Sequence, residues 1–222
     1  MTHVNPHIHP VAPLRACPAP GNPGVTLQRR TALTFDQPIA PTDSIAAGRF
    51  ILRPLRPSDA GLCALYAGDR RVAEATRTIP HPLPPGAVEA FIARAMSGES
   101  RGTIWAMDGS ATGLSELLGV ISLKPMETGK SDQKKSDRGQ SEVGFWVAPQ
   151  MWNTGIASEA VRALVTANPL GDRTFFAEVF QDNPGSARVL TNCGFEYLGD
   201  AETFSVARNA RVPTWTYIRK LD

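Results

Sequence analysis

Asn153, Thr154 and Gly155 stand directly before a segment with the apolar spacing of an amphipathic helix. All three residue types form turns readily, and glycine lets the backbone come close to another group. The first four N–H groups of a helix have no partner within it, and the helix dipole adds positive potential at that end. A loop in this position can therefore bind an anion such as a phosphate through its main chain. A plain strand-to-helix connection is the alternative, and the loop alone does not distinguish the two.

A second segment with residues capable of chemistry is NPGSARVLTNCGF, at positions 183–195. Asn183 is a good N-cap, Pro184 suits the first helical position and Gly194 suits the left-handed end of a helix. The segment therefore predicts a short helix with Ser186 in its first turn. A serine at this position often supports the cap.

Glu142 and His81 are two side chains that can accept a proton. Glu142 begins the strand pattern EVGFWV, where a solvated carboxylate is the alternative interpretation. His81 lies in the proline-rich loop TIPHPLPP, and the ordinary pKa of histidine suits proton transfer near neutrality. A surface histidine without a role is the alternative there, and proton removal by bulk water needs neither residue.

Composition and net charge indicate a globular protein and argue against nucleic-acid-binding and membrane-spanning proteins. The chain is 42% hydrophobic and 20% charged, which is normal for a globular protein that buries a core. The formal net charge is only +2, and no basic stripe with interleaved aromatic residues is present, so we expect no nucleic-acid partner. No stretch approaches the roughly 20 apolar residues that span a bilayer, and the N-terminus lacks a signal-peptide pattern. We therefore expect a cytoplasmic protein without a membrane partner.

The cysteines and histidines do not indicate a metal site. Cys17, Cys63 and Cys193 are far apart and form no CxxC pair, and the four histidines do not supply ligand spacing near them. We expect the cysteines to serve as small apolar residues in a reducing compartment. No metal cofactor is predicted.

The elements that must position these residues follow from apolar periodicity. The Pro-rich segment 1–47 predicts a flexible extension, and 48–222 predicts one domain with the order β-α-α-β-β-β-α-β-α-β-β. The polar segment 124–140 predicts an exposed loop. The order indicates an α/β (α+β) fold with one mainly antiparallel sheet.

Taken in order, these segments resemble the GNAT acetyltransferase superfamily, in particular its RimJ/RimL-type N-terminal acetyltransferases. WNTGIASEA is similar to the loop pattern R/Q-x-x-G-x-G/A at Gly155 and Ala157. NPGSARVLTNCGF matches the branch's N-x-x-S element and its closing G-F, and RFILRPLRPSD matches its opening R-L-x-L-R-P-L-x-x-x-D. The resemblance runs from about Arg49 to Lys220. It implies a GNAT-like central sheet with helices on both faces.

The resemblance implies direct transfer of an acetyl group from acetyl-CoA to a primary amine, either a protein N-terminus or a small-molecule amine. The strand EVGFWV should diverge from FFAEVF and leave main-chain groups free for the pantetheine arm. Ser186 is the candidate general acid, with support of the helix cap as the alternative, and Glu142 and His81 are the candidates for the base that takes the amine proton. The implied cofactor contacts are Phe145, Trp146, Val147, Trp152, Asn153, Thr154, Gly155, Ile156, Ala157, Asn183 and Ser186.

The chain departs from the family pattern in the loop. The branch often carries Lys or Arg between its two loop glycines, whereas this chain has Asn153 and Thr154 after Trp152. The missing cation should weaken cofactor binding without abolishing it, because main-chain donors form most of the phosphate site. A catalytically weak or inactive CoA-binding module is therefore the alternative function. A monomer and a homodimer are equally consistent with the sequence.

Overall fold

The computed structural model describes residues 44–100, 102–126 and 139–221. Residues 1–43 of the expected extension and residues 127–138 of the expected polar loop lie outside this described part, and so do the predictions made for them. Within the described ranges no helix has the length and apolar character needed to cross a membrane.

The described residues form eight strands and five α-helices. In chain order these are β1 (Ile45–Ala46), β2 (Ile51–Pro54), α1 (Ala60–Ala67), α2 (Arg70–Glu74), α3 (Ala87–Ser97), β3 (Thr103–Asp108), β4 (Gly119–Pro125), β5 (Gln140–Val147), α4 (Ile156–Ala167), β6 (Thr174–Phe180), α5 (Pro184–Asn192), β7 (Glu196–Ser205) and β8 (Ala210–Lys220). The predicted order is confirmed, with β1 and α2 as additional elements. Both are too short to show a periodic pattern in sequence.

The strands form one sheet with the spatial order β1-β2-β3-β4-β5-β6-β8-β7. Neighbouring strands are antiparallel, except for β5 and β6, which are parallel and are joined by the crossover helix α4. The predicted mainly antiparallel sheet is therefore confirmed. The single parallel pair places the start of α4 beside the end of β5.

Helices cover both faces of the sheet, as expected. Successive side chains of a strand point to opposite faces. In β3, Trp105 and Met107 pack with α4 and α5, whereas Ala106 packs with α1 and α3 on the other face. All three side chains are almost fully buried, so β3 lies between two hydrophobic cores, one on each face of the sheet.

A buried ion cluster joins the first strands to the first helix. The Arg53 guanidinium donates from Nη2 to Oδ1 of Asp59 at 2.8 Å and from Nε to Oδ2 of Asp108 at 2.6 Å. All three residues are buried, and the hydrogen bonds that Arg53 donates to Asp59 and to Asp108 raise the pKa of Arg53 above its ordinary value. The opening motif RFILRPLRPSD thus has a structural role, because its Arg53 and Asp59 connect β2 to β3 and to the start of α1.

The packed part of the chain begins before residue 48. In β1, Ile45 pairs with Leu52 of β2, and the following Ala47 is buried in the core. The first strand therefore uses residues that the sequence pattern assigns to the N-terminal extension.

Candidate active site

The parallel strands β5 and β6 form a fork. They are paired over three positions, of which the last joins Glu142 to Phe176. Beyond it, β5 continues to Val147 and β6 to Phe180 without further pairing between them. The expected divergence of the two strands is confirmed. On its β6 side, this part of β5 therefore offers main-chain groups that an extended ligand can pair with.

A cavity of about 760 Å³ lies between the end of β5, the loop before α4, the start of α5 and the helix α2. We call it the α4 cavity. All the residues that the sequence analysis assigned to the cofactor, except Thr154, line this cavity. They are Phe145, Trp146, Val147, Trp152, Asn153, Gly155, Ile156, Ala157, Asn183 and Ser186.

The backbone of the loop explains its turn-forming residues. Asn153 has φ +60° and Gly155 has φ +84°, so both adopt the left-handed conformation. Glycine adopts it without strain, and asparagine tolerates it better than most residues. Gly155 is the N-cap of α4, and no side chain caps this helix. The N–H groups at the start of α4 therefore remain available to a ligand in the cavity.

Thr154 stabilises the conformation of the loop through two hydrogen bonds. Its hydroxyl donates to the carbonyl oxygen of Met151 at 2.6 Å, and its own carbonyl accepts from Nη2 of Arg49 at 3.0 Å. Arg49 also donates from Nε to Glu159 of α4 at 2.8 Å. Arg49 does not line the α4 cavity, so this arginine supports the loop from behind.

Ser186 lines the α4 cavity from the first turn of α5. The predicted cap is confirmed, because the Asn183 side chain accepts from the main-chain N–H of Ser186 at 3.2 Å. The half-buried Ser186 hydroxyl makes no hydrogen bond to another described residue. The cap therefore uses the main chain of Ser186, and its hydroxyl is left to interact with a ligand.

A second cavity, of about 570 Å³, lies on the other side of the fork, between α1, α3 and the loop that joins α2 to α3. We call it the α3 cavity. Both cavities are lined by Ala75, Thr76, Phe145 and Trp146. The two cavities therefore meet where β5 leaves β6. A ligand arm that lies in the fork can reach from one cavity into the other.

One arginine holds two carboxylates in the α3 cavity, across the fork. Arg77 donates from Nη2 to Glu142 of β5 and from Nη1 to Glu178 of β6, the latter at 2.7 Å. The second oxygen of Glu178 accepts from the hydroxyl of Thr214 at 2.6 Å. Glu142 is thus an ion-paired, largely buried carboxylate, so its interpretation as a merely solvated residue is wrong.

Glu178 is a candidate that the sequence analysis missed. Its one sequence signal is a carboxylate in the middle of the apolar strand FFAEVF, where an apolar residue would be usual. With Arg77, the two glutamates carry one formal negative charge in excess. Arg94 of α3 lines the same cavity and is exposed.

The structure does not bring His81 to either cavity. Its side chain is exposed, and it lines neither the α4 cavity nor the α3 cavity. Cys63 does line the α3 cavity, but burial raises the pKa of its thiol to about 12. Cys193 donates its thiol to the carbonyl oxygen of Ser158 at 3.3 Å, and burial raises its pKa as well. Both thiols stay protonated near neutral pH and act as apolar core residues.

Side chains of the metal-ligating types are scattered over the part of the chain that the structure describes. No three His, Cys, Asp or Glu residues there lie close enough together to hold a metal ion.

Known proteins are similar to this chain over a region that contains the fork and most of the residues that line the two cavities. Residues 49–196 match the model of the acetyltransferase (GNAT) domain family. An uncharacterized N-acetyltransferase, YoaA of Bacillus subtilis (strain 168), is 32% identical over 107 residues, which are 47% of this chain and 55% of YoaA. The match thus spans about half the length of that relative.

Two solved structures show similarity of fold. RimL, a ribosomal L7/L12 alpha-N-protein acetyltransferase in complex with coenzyme A, has a TM-score of 0.65 at 15% identity, over 81% of this chain and 99% of RimL. The microcin C7 self-immunity acetyltransferase MccE, in complex with acetyl-CoA and AMP, has a TM-score of 0.64 at 14% identity, over 78% of this chain and 93% of MccE. At these identities the similarity shows the fold alone.

Proposed function

The chain belongs to the GNAT acetyltransferase family, and we propose that it is an N-acetyltransferase that moves the acetyl group of acetyl-CoA directly to a primary amine. The observation that carries the proposal is the fork between β5 and β6, which joins the α4 cavity to the α3 cavity. Such a fork suits a reaction in which a long donor arm meets a separate acceptor.

In this proposal the α4 cavity binds acetyl-CoA. The main chain of the loop, from Asn153 to Ala157, binds the pyrophosphate at the uncapped start of α4. The pantetheine arm pairs with the part of β5 that β6 leaves unpaired. The thioester then lies near Phe145 and Trp146, which line both cavities. A main-chain N–H of β5 stabilises the charge that develops on the thioester oxygen.

Ser186 acts as the general acid. When the amine nitrogen forms the new C–N bond, the C–S bond breaks and the sulfur leaves as a thiolate. The Ser186 hydroxyl lines the same cavity and has no partner among the described residues, so it can donate its proton to that thiolate while it takes a proton from water. The Asn183 cap fixes the turn of α5 that carries it.

The α3 cavity binds the amine. Its walls are largely apolar, with Leu83, Val88 and Phe91 among the lining residues. The cluster formed by Glu142, Glu178 and Arg77 carries excess negative charge and favours a protonated amine over an anion, because the positive charge of Arg94 in the same cavity is exposed and screened by solvent. Glu142 then removes the proton, directly or through water. A protein N-terminus and a small amine both meet these requirements.

Replacing Glu142 by Gln should lower kcat/KM for the amine at least about tenfold, because it removes a charge-assisted interaction with the ammonium group and also the group proposed to take the amine proton. The amide keeps an oxygen that can accept from Arg77, so the cavity should keep its shape. The measurement is the initial rate at varied amine concentration. Glu202→Gln on the exposed part of β7 is the matched control and should behave like the wild type. An unchanged kcat/KM in Glu142→Gln would assign this glutamate only to the ion pair.

The proposal is tested by turnover with a broad panel of primary amines, including short peptides with free N-termini. We expect release of CoA thiol together with an equal amount of N-acetylated product, detected by mass spectrometry. The alternative is a catalytically weak or inactive CoA-binding module, which the absence of a cation at Asn153 and Thr154 favours. Binding of acetyl-CoA without any acetylated product would support that alternative and contradict the enzyme.

A further inference from the structure

The loop that faces the α4 cavity has no cationic side chain of its own. The segment from Trp152 to Ser158 contains neither Lys nor Arg. Arg49 lies behind the loop, where Thr154 and Glu159 accept its hydrogen bonds. A pyrophosphate at the start of α4 would therefore meet main-chain donors but no positive side chain from this segment.

A cation from another element lies against the same loop. The guanidinium carbon of Arg71, in α2, lies 5.2 Å from the ring centroid of Trp152. Both residues line the α4 cavity. The Trp152 ring is itself held by the bond from Nε1 to the carbonyl oxygen of Val147, at 2.8 Å. Stacking on this fixed ring holds the guanidinium beside the first residue of the loop.

Asp69 fixes the orientation of Arg71 and leaves part of its guanidinium free. Arg71 donates from Nε to Oδ1 of Asp69 at 3.0 Å and from Nη2 to Oδ2 at 2.7 Å. These bonds hold the pKa of Asp69 down at about 2, so the pair stays charged near neutrality. Arginine has five N–H donors in a rigid fork. The two of Nη1 and one of Nη2 remain for an anion in the cavity.

We propose that Arg71 supplies the cationic contact to the pyrophosphate of CoA, in place of the basic side chain that the loop lacks. This inference rests on the proposed function, because it takes CoA as the ligand of the α4 cavity. The pyrophosphate is the expected contact, since Arg71 stacks on Trp152 and Trp152 leads directly into the loop that binds the pyrophosphate.

The test compares Arg71→Ala with the wild type by calorimetric titration of CoA and of 3′-dephospho-CoA. The variant should keep α2 intact, because the cap is the bond from the main-chain N–H of Arg71 to Asp69, at 2.9 Å. We expect a loss of about tenfold in affinity for both ligands, which is typical of a charge-assisted contact. Arg211→Ala is the matched control, because Arg211 is similarly exposed and paired with a carboxylate but lines neither cavity.

The two titrations distinguish a contact of Arg71 with the pyrophosphate from a contact with the 3′-phosphate. Equal losses for the two ligands in Arg71→Ala, with no loss in Arg211→Ala, support the inference. A loss of affinity for CoA alone would assign Arg71 to the 3′-phosphate and would overturn the inference. Unchanged binding of both ligands would also overturn the inference. If the wild type binds neither ligand, the proposed function fails first and this inference falls with it.

Discussion

Replacing Gly155 by Glu should weaken acetyl-CoA binding by at least about 100-fold, which corresponds to about 2.7 kcal/mol. The backbone at this position has φ +84°, where a residue with a side chain costs roughly 1–2 kcal/mol. An added Cβ would also stand 3.4 Å from Nη2 of Arg49, the group that supports the loop. The new carboxylate would lie at the start of α4, where the pyrophosphate must bind, and would repel it. Calorimetric titration of acetyl-CoA into the variant measures the effect.

Gly86→Glu is the matched control for this variant. Gly86 is the N-cap of α3, has φ +75° and has open space around an added Cβ. It lines neither cavity, so the same strain and charge at this helix start should leave acetyl-CoA binding unchanged. Equal losses in the two variants would show general destabilisation, and wild-type affinity in Gly155→Glu would remove the phosphate site from this loop.

Replacing Ser186 by Ala should lower kcat about 100-fold, a typical contribution of one general acid. The affinity for acetyl-CoA should change little, because Ala keeps the main chain and nearly the volume of the side chain. Kinetics at saturating acetyl-CoA and amine measure the first effect, and calorimetry measures the second. An unchanged kcat would mean that water protonates the thiolate.

Thermal unfolding of the same variant distinguishes a general acid from a residue that only caps the helix. The Ser186→Ala variant keeps the main-chain N–H that donates to Asn183, so its thermal stability should equal that of the wild type. Asn183→Ala removes the accepting oxygen and should lower the free energy of unfolding by about 1 kcal/mol. A loss of stability in Ser186→Ala that is as large as in Asn183→Ala would indicate that the hydroxyl supports the helix.

Much of the fold follows from local signals in the sequence. Apolar periodicity predicts the longer helices and strands, because one face of each is buried. The turn formers Asn153 and Gly155 predict the loop, and the structure shows why: both adopt the left-handed conformation. The fork between β5 and β6 has no such local signal, and it was predicted only from the resemblance to the GNAT superfamily.

The remaining features of the site depend on contacts between distant segments. Arg77 is 65 positions from Glu142 and 101 from Glu178, so nothing in either strand indicates the ion cluster that they form. Arg71 and Trp152 likewise meet only when α2 packs near the end of β5. Residues of this kind contribute no periodic pattern and no motif, and only the tertiary structure brings them together.

A calorimetric titration of acetyl-CoA into the wild-type protein tests whether the α4 cavity is a site for this ligand. Both the enzyme and the weaker CoA-binding module require the α4 cavity to hold this ligand. We predict saturable binding with one molecule of acetyl-CoA per chain, displaced by CoA. The absence of binding would contradict the assignment of the loop and of the fork, and would leave a member of the GNAT family whose two cavities serve another ligand.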